Sequence, residues 1–271
     1  MTATTASILD TTMDGLEVGL QVGHIASRDI RTCTPDQTTA DVREDPAHED
    51  LDCLPVKSAG RFVGVLESPE QSERPVKAVM EPLAESMLVS GSMPIADFVR
   101  QLEKDRSRCW LVVEGNSICG IVTRSDLLKL PVRLFAFALA THLEMMMARL
   151  ITSRMSDDDW LAWLEEEDRH EAVFKKQKEL ERRGLDPRRI ELTEFCDKRI
   201  IVKRLMGYPG RFEKDMKRIE WRLRNTIAHA GNYAPDDSSL EKFIDAVIKS
   251  EQWIKTIDAE LDSVATNATA S

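Results

Sequence analysis

Apolar positions follow two rhythms along this chain. Up to about residue 130 they come in short runs broken by Gly, Pro, Asp and Asn, the pattern of strands and turns with short helices between them. From about residue 131 they recur three and four positions apart, the period of long helices.

The first rhythm contains a loose internal repeat. In its second copy, SMLVS (86–90) predicts a strand, and SMPIADFVRQLEKD (92–105) predicts a helix opened by Pro94, with Ile95, Phe98, Val99 and Leu102 on one stripe. CWLVVEGNSICGIVT (109–123) predicts a hairpin turning at Glu114–Ser117, and RSDLLKL (124–130) a closing helix. The first copy is fainter: DIRTCTP (29–35) as strand, TTADVRE (38–44) as helix, and LDCLPVKSAGRFVGVLE (51–67) as a hairpin turning at Ser58-Ala59-Gly60. The linker SPEQSERP follows it. Copies of roughly 50 residues cannot bury an adequate core singly.

The second rhythm predicts helices over 134–152, from Asp157-Asp158-Asp159 to about Arg183, over 189–206, over 211–230 and over 238–261. Gly184-Leu-Asp-Pro187 and Gly207-Tyr-Pro-Gly210 are breaks, Gly231-Asn232 suits a C-terminal cap, and Ser238 or Ser239 an N-terminal one. Short connections imply antiparallel neighbours, hence a small up-and-down bundle. The fold class expected is α+β.

Composition adds bounds. A length of 271 residues suits about two domains, and 42% hydrophobic with 31% charged residues suits a soluble globular chain. No basic n-region or apolar core marks the N-terminus as a signal peptide. The most apolar stretch, 131–151, is interrupted by Arg133, His142, Glu144 and Arg149, which suits a buried helix better than a membrane span, and no membrane partner is expected. The five cysteines show no pairing framework, so they are expected to be small core residues in a reducing, cytoplasmic setting. Net charge is −10, yet residues 169–224 hold 18 Lys/Arg against 10 Asp/Glu. A basic segment in an acidic protein points either to a polyanionic partner or to a solvated helix face.

The β-α-β-β-α repeat resembles a tandem pair of CBS (cystathionine-β-synthase-type) domains over roughly residues 20–130. Its most specific part is Gly120-Ile-Val-Thr-Arg-Ser-Asp126, which is similar to the family's glycine, two apolar residues, threonine, two residues, aspartate signature. With the strand ending at the glycine, Thr123 and the next helix's N-terminus would face an anion. The resemblance implies an adenine nucleotide (ATP, ADP, AMP or an adenine second messenger) as regulatory ligand. Thr123 would meet phosphate, Asp126 ribose, Arg124 a further phosphate oxygen, and Val89 and Trp110 the base. Alternatively, Thr123 and Asp126 merely cap a helix. In the first copy Glu67 and Glu70 replace the threonine and aspartate, and a carboxylate there would repel phosphates.

The helical region contains Arg224-Asn-Thr-Ile-Ala-His229, near the end of a basic helix. It resembles the arginine–histidine motif of HEPN domains, helical modules that are often metal-independent ribonucleases. Arg43…His48 has the same spacing but sits in an acidic, proline-bearing stretch and is set aside. The resemblance implies Arg224, Asn225 and His229 as catalytic residues, no metal, RNA held by a basic surface including Arg218 and Arg222, and a homodimer. At about 100° per residue, Arg224 and His229 do not share a helix face, whereas Arg222 and His229 do. Glu144 is a candidate supporting residue. The toxin mode controlled by a tyrosine two residues past the histidine does not fit, because Tyr233 lies four past it.

The expected organisation is an N-terminal segment (1–19), a degenerate CBS-like repeat (20–74), a second repeat (75–130), a HEPN-like bundle (131–264) and a disordered tail (265–271). The expected function is a nucleotide-sensing endoribonuclease, toxin-like or stress-responsive. The alternatives are a non-catalytic adaptor that binds RNA or protein, or a purely structural dimer.

Overall fold

The computed structural model describes residues 3–48, 51, 53–67, 72–105, 107–156, 159–164, 167–228 and 236–269. The chain divides into two units, Asp14–Arg133 and a helical one comprising Met1–Met13 with Leu134–Ser271. A first helix, α1 (Ala3–Gly19), has no counterpart in the sequence reading, because its threonine-rich stretch shows no clear apolar stripe.

The mixed unit contains α2 (Thr39–Glu44), β1 (Cys53–Ser58), β2 (Arg61–Glu67), β3 (Glu81–Pro82), β4 (Leu88–Ser90), α3 (Ile95–Leu102), β5 (Cys109–Glu114) and β6 (Ser117–Thr123). Its two hairpins are one structure repeated at a separation of 56 residues, the spacing of Cys53 and Cys109. Cys53 pairs with Glu67 and the ladder shifts between Val56 and Lys57; Cys109 pairs with Thr123 and the shift falls between Val112 and Val113. The turns carry left-handed backbone at Ala59 and Gly60 in one and at Gly115 in the other, the geometry that matches strand twist.

Each sheet is completed from sequence lying ahead of the other copy. β3 pairs with β2 and Thr38 bridges Pro75, while Ser27 bridges Ile121 and Gln21 bridges Pro94. The crossing strand presses on a glycine each time. A Cβ on Gly64 would lie 2.4 Å from the Glu81 carbonyl oxygen, and one on Gly120 would lie 3.1 Å from Ala26 Cβ. The signature glycine thus stands where a Cβ would be tight against Ala26, and β6 runs through it to Thr123 instead of ending there.

Alternation along β1 and β2 sorts their side chains between two cores. Leu54, Val56 and Leu66 pack with Cys33, Val42 and Val76, while Cys53 and Val65 meet Met87, Cys109 and Leu111. Three expectations are corrected here. The 29–35 strand is reduced to a single bridge, Cys33 to Val56, and RSDLLKL forms a 3₁₀ turn over Arg124–Leu128. The cysteines are not all free: a disulfide joins Cys53 to Cys109, which occupy equivalent positions in the two hairpins, while Cys33, Cys119 and Cys196 remain thiols.

The helical unit is described from α4 (Leu130–Arg154) through α5 (Glu167–Glu181), α6 (Phe195–Met206), α7 (Gly210–Ile219), α8 (Thr226–Ala228) and α9 (Asp237–Thr269). Helix α4 is long and apolar enough to cross a membrane by length and composition, and its stripe Phe135, Leu139, Leu143, Met146 and Leu150 is buried. The predicted second helix starts late: Leu161–Trp163 is a 3₁₀ turn, and Asp157 and Asp158 lie outside the described residues. The predicted third is a 3₁₀ turn (Arg189–Leu192) followed by α6, because Glu194 interrupts it and forms a capping box with Asp197. Gly207, at φ 61°, ends α6 in the left-handed conformation. Asp236 rather than Ser238 or Ser239 caps α9, its Oδ1 accepting from the Ser239 amide at 2.7 Å, and the helix continues past Leu261 to Thr269.

The predicted fourth helix changes type. After α7 the backbone widens into a π-helical turn over Glu220–Asn225 before α8. The count of 100° per residue fails across this turn, so the shared face expected for Arg222 and His229 does not follow. His229, with Gly231, Asn232 and Tyr233, lies outside the described residues.

Candidate functional site

In the mixed unit, the candidate site is the turn leaving β6. The Thr123 amide donates to Asp126 Oδ2 at 2.6 Å, and the Thr123 hydroxyl lies 3.0 Å from the same oxygen and 2.7 Å from Ser125 Oγ. This is a reciprocal cap of the 3₁₀ turn. The other oxygen of Asp126 is 2.7 Å from Lys129 Nζ, which also donates to the Ile25 carbonyl at 2.6 Å. Asp126 is buried and holds three donors, so roughly one of its four acceptor positions remains for a ligand.

The remaining predicted contacts are tied into the fold. Arg124 donates through Nε to the Ser107 carbonyl at 3.2 Å. Val89 and Trp110 are core residues; the indole meets Phe98 edge-on at 5.1 Å and donates to Asp105 Oδ2 at 2.9 Å. Burial raises the Asp105 carboxyl, and hydrogen bonds from Ser107, Trp110 and Gln101 outweigh it, leaving its pKa below the ordinary value. Thr123, Arg124 and Asp126 thus share one turn, whereas Val89 and Trp110 sit beneath it in the strands. In the first copy Glu67 ends β2 as Thr123 ends β6, and Glu70 lies outside the described residues.

In the helical unit the candidate site is a charged cluster. Lys198 is 3% exposed and donates to Glu144 Oε1 at 3.0 Å and to the Thr193 carbonyl at 2.7 Å. The second oxygen of Glu144 is 3.4 Å from Arg224 Nε. Arg199 reaches toward Glu220 at 4.0 Å. Burial pushes the Glu220 carboxyl up, the guanidinium groups of Arg199 and Arg224 pull it down, and the like charges of Glu144 and Glu194 add to the rise.

Arg224 and Asn225 are both half-buried at the end of the π turn, which Thr226 ties off by donating to the Trp221 carbonyl at 2.7 Å. Single-turn π segments of this kind are frequent at functional sites. Arg218 forms an ion pair with Asp245, and Arg222 is half-buried. Arg43…His48 is structural: His48 is buried, with Nδ1 3.1 Å from the Val42 carbonyl.

Of these carboxylates and cations, Glu144 is singled out by the sequence, whereas Lys198 and Glu220 are not. A signal existed for Lys198, which shares the i, i+3, i+7 stripe of α6 with Phe195 and Val202, a core face where a lysine needs a partner.

Residues 76–133 match the family described as the CBS domain; that match does not extend into the helical unit. Solved structures similar to this chain include a conserved CBS domain protein of unknown function, TA0289, from Thermoplasma acidophilum, at 24% identity and TM-score 0.35, covering 40% of this chain and 66% of that one. Another is a CBS-pair protein, CBSX2 from Arabidopsis thaliana, at 19% identity and TM-score 0.36, covering 42% of this chain and 95% of that one. CBSX2 in complex with AMP is similar at 20% identity and TM-score 0.37, covering 43% and 98%. No curated protein matches the chain.

Proposed function

We propose that this protein is a regulator that senses an adenine nucleotide through its second CBS-like repeat, with HEPN-type, metal-independent endoribonuclease chemistry in its helical unit. The observation that carries the catalytic part is the setting of Arg224. Glu144, itself anchored on buried Lys198, holds the guanidinium through Nε. The Arg224 side chain is 32% exposed, and its terminal nitrogens make no hydrogen bond among the described residues. A guanidinium held at Nε and partly exposed is suited to a phosphate.

In this reading His229 takes the proton from an RNA 2′-hydroxyl, or returns one to the leaving 5′-oxygen. Arg224 stabilises the charge building on phosphorus, and Asn225 orients a phosphate oxygen or the imidazole. The products are a 2′,3′-cyclic phosphate and a 5′-hydroxyl. Basic residues including Arg218 and Arg222 hold the RNA backbone. A homodimer would bring two motifs to one cleft, and exposed Leu134, Phe137 and Met145 on α4 offer apolar surface for such pairing. For the nucleotide to regulate, it must bind two arrangements of that dimer with different affinity. CBSX2, to which this chain is similar, has been solved with AMP. A toxin-like or stress-response role, acting in the cytoplasm, would follow.

The second reading is a nucleotide-regulated adaptor without cleavage. It is favoured by the pairing of Arg218 with Asp245, which withdraws a cation from RNA binding. One experiment separates them: total RNA incubated in EDTA with wild type or Arg224→Ala/His229→Ala, with and without AMP or ATP. Cleavage lost in the variant supports the ribonuclease, and a nucleotide effect joins the two units. No cleavage under any condition moves the assignment to the adaptor.

A further inference from the structure

The basic helix carries an exposed tryptophan. Trp221, the second residue of the π turn, is 63% exposed and makes no ring contact among the described residues. The chain's other four tryptophans are engaged. Trp110 and Trp160 are buried, Trp163 carries Arg204 over its ring at 4.8 Å, and Trp253 packs on Tyr208 and Phe212 at 5.4 and 4.9 Å. Packing does not account for Trp221, since Ile219 and Leu223, two positions to either side, are the residues that turn into the core.

Its surroundings are cationic. Residues 210–225 hold six Lys/Arg against three Asp/Glu, and the three acids are already paired. Glu213 pairs with Lys203 and, at 2.8 Å, with Lys217. Buried Asp215 holds Lys249 at 3.0 Å and the Trp253 indole at 3.2 Å, and half-buried Glu220 faces Arg199 at 4.0 Å. At about 100° per residue, Lys214 and Lys217 stand on the side of α7 opposite Phe212, Met216 and Ile219, and both are exposed. Arg218 is drawn to Asp245, whereas Lys214 forms no ion pair among the described residues. One turn beyond Lys217 comes Trp221.

An exposed indole preceded by lysines fits a nucleic acid better than a protein. Lysine is depleted from contacts between proteins. A base, by contrast, stacks on an aromatic face while neighbouring cations meet the phosphates. In a duplex the bases are stacked on one another, so only an unpaired base can reach the ring. We propose that Trp221 is a stacking platform for an unpaired base of single-stranded RNA whose backbone follows Lys214 and Lys217. The proposal rests on the reading of RNA as substrate and gives that substrate a class, the single strand. Trp221 and Arg224 belong to one π turn, so a base held on the ring keeps its strand beside the guanidinium.

The test is fluorescence anisotropy of a labelled 2′-O-methyl RNA oligonucleotide, which lacks the attacking hydroxyl, offered to the full chain as a single strand and as a duplex. The expected result is tighter binding of the single strand, weakened about tenfold by Trp221→Ala and much less by Trp221→Phe, which keeps a ring. Duplex binding should respond to neither. Lys214→Ala should lower the salt dependence of binding by about one phosphate contact. The Trp221 variants should melt as wild type does, because the ring makes no packing contact that they remove. Equal binding of the single strand by wild type and Trp221→Ala, or no binding by wild type, would overturn the proposal. So would sedimentation in which Trp221→Ala splits a dimer and leaves RNA binding unchanged, which assigns the ring to a second copy. The ribonuclease reading fails separately: unmodified RNA left intact by wild type, with the Trp221 effect on binding retained, removes cleavage and keeps the platform.

Discussion

Glu144 and Arg224 form an ion pair, Oε2 to Nε at 3.4 Å, between the apolar helix α4 and the π turn that ends the basic helix. Because the other oxygen of Glu144 rests on Lys198, one carboxylate balances a buried ammonium and aims a half-buried guanidinium.

Removing that carboxylate therefore has two effects. Glu144→Gln leaves the Lys198 charge buried without its counter-ion and should cost about 3–5 kcal/mol in urea unfolding. Glu144→Gln with Lys198→Met should cost clearly less than the sum of the single changes, since the pair is removed together. If Arg224 acts in RNA cleavage, Glu144→Gln should also lower cleavage at a temperature where the variant remains folded. Additive costs would show that the two groups do not depend on each other.

Asp126 serves both as cap and as the proposed ribose contact. Asp126→Asn should lower stability by about 1 kcal/mol through the cap. It should also shrink the rise in melting temperature produced by saturating AMP or ATP, which scales with affinity. A full nucleotide shift in the variant would leave Asp126 with the cap alone.

Glu213 is drawn down from the ordinary 4.5 to about 2, chiefly by the hydrogen bond from Lys203 and then by that from Lys217. A lowered folded-state pKa means stability present above pH 4.5 and lost as pH falls toward 2. Glu213→Gln should thus be less stable than wild type at neutral pH, and the difference should close as unfolding is repeated between pH 4.5 and pH 2. A difference independent of pH would assign the effect to packing.

Burial pushes the Cys33 thiol up to about 11. Cys33 should resist iodoacetamide in the native protein and react on unfolding. Unfolded without reductant, the chain should titrate three thiols, those of Cys33, Cys119 and Cys196. Five would show that Cys53 and Cys109 are not joined.

Much of the fold was legible because its causes are local. The 109–123 hairpin and its turn, helix 95–102 behind Pro94, and the break at Gly207 follow from alternation, helical period and glycine's access to positive φ, which act within a few residues. The candidate sites were half legible. The Thr123–Asp126 relation is three residues long and was read as either cap or ligand contact; the geometry shows the cap formed. Arg224 was found from its neighbours in sequence, but nothing near it in sequence points to Glu144.

By itself, the sequence determined two regions of different periodicity, a doubled hairpin, and a basic helix carrying Arg224 and Asn225. Only the tertiary structure decided which strand completes which sheet, that Gly120 lies close against Ala26, that Cys53 meets Cys109, and that Trp110 is core. It also decided where the helix widens at Glu220–Asn225 and which carboxylate holds Arg224. The division has a physical reason. Local periodicity is set by backbone geometry and solvent, whereas pairing between distant residues depends on burial, where the cost of an unpaired charge or a clashing Cβ is fixed by the packed chain as a whole.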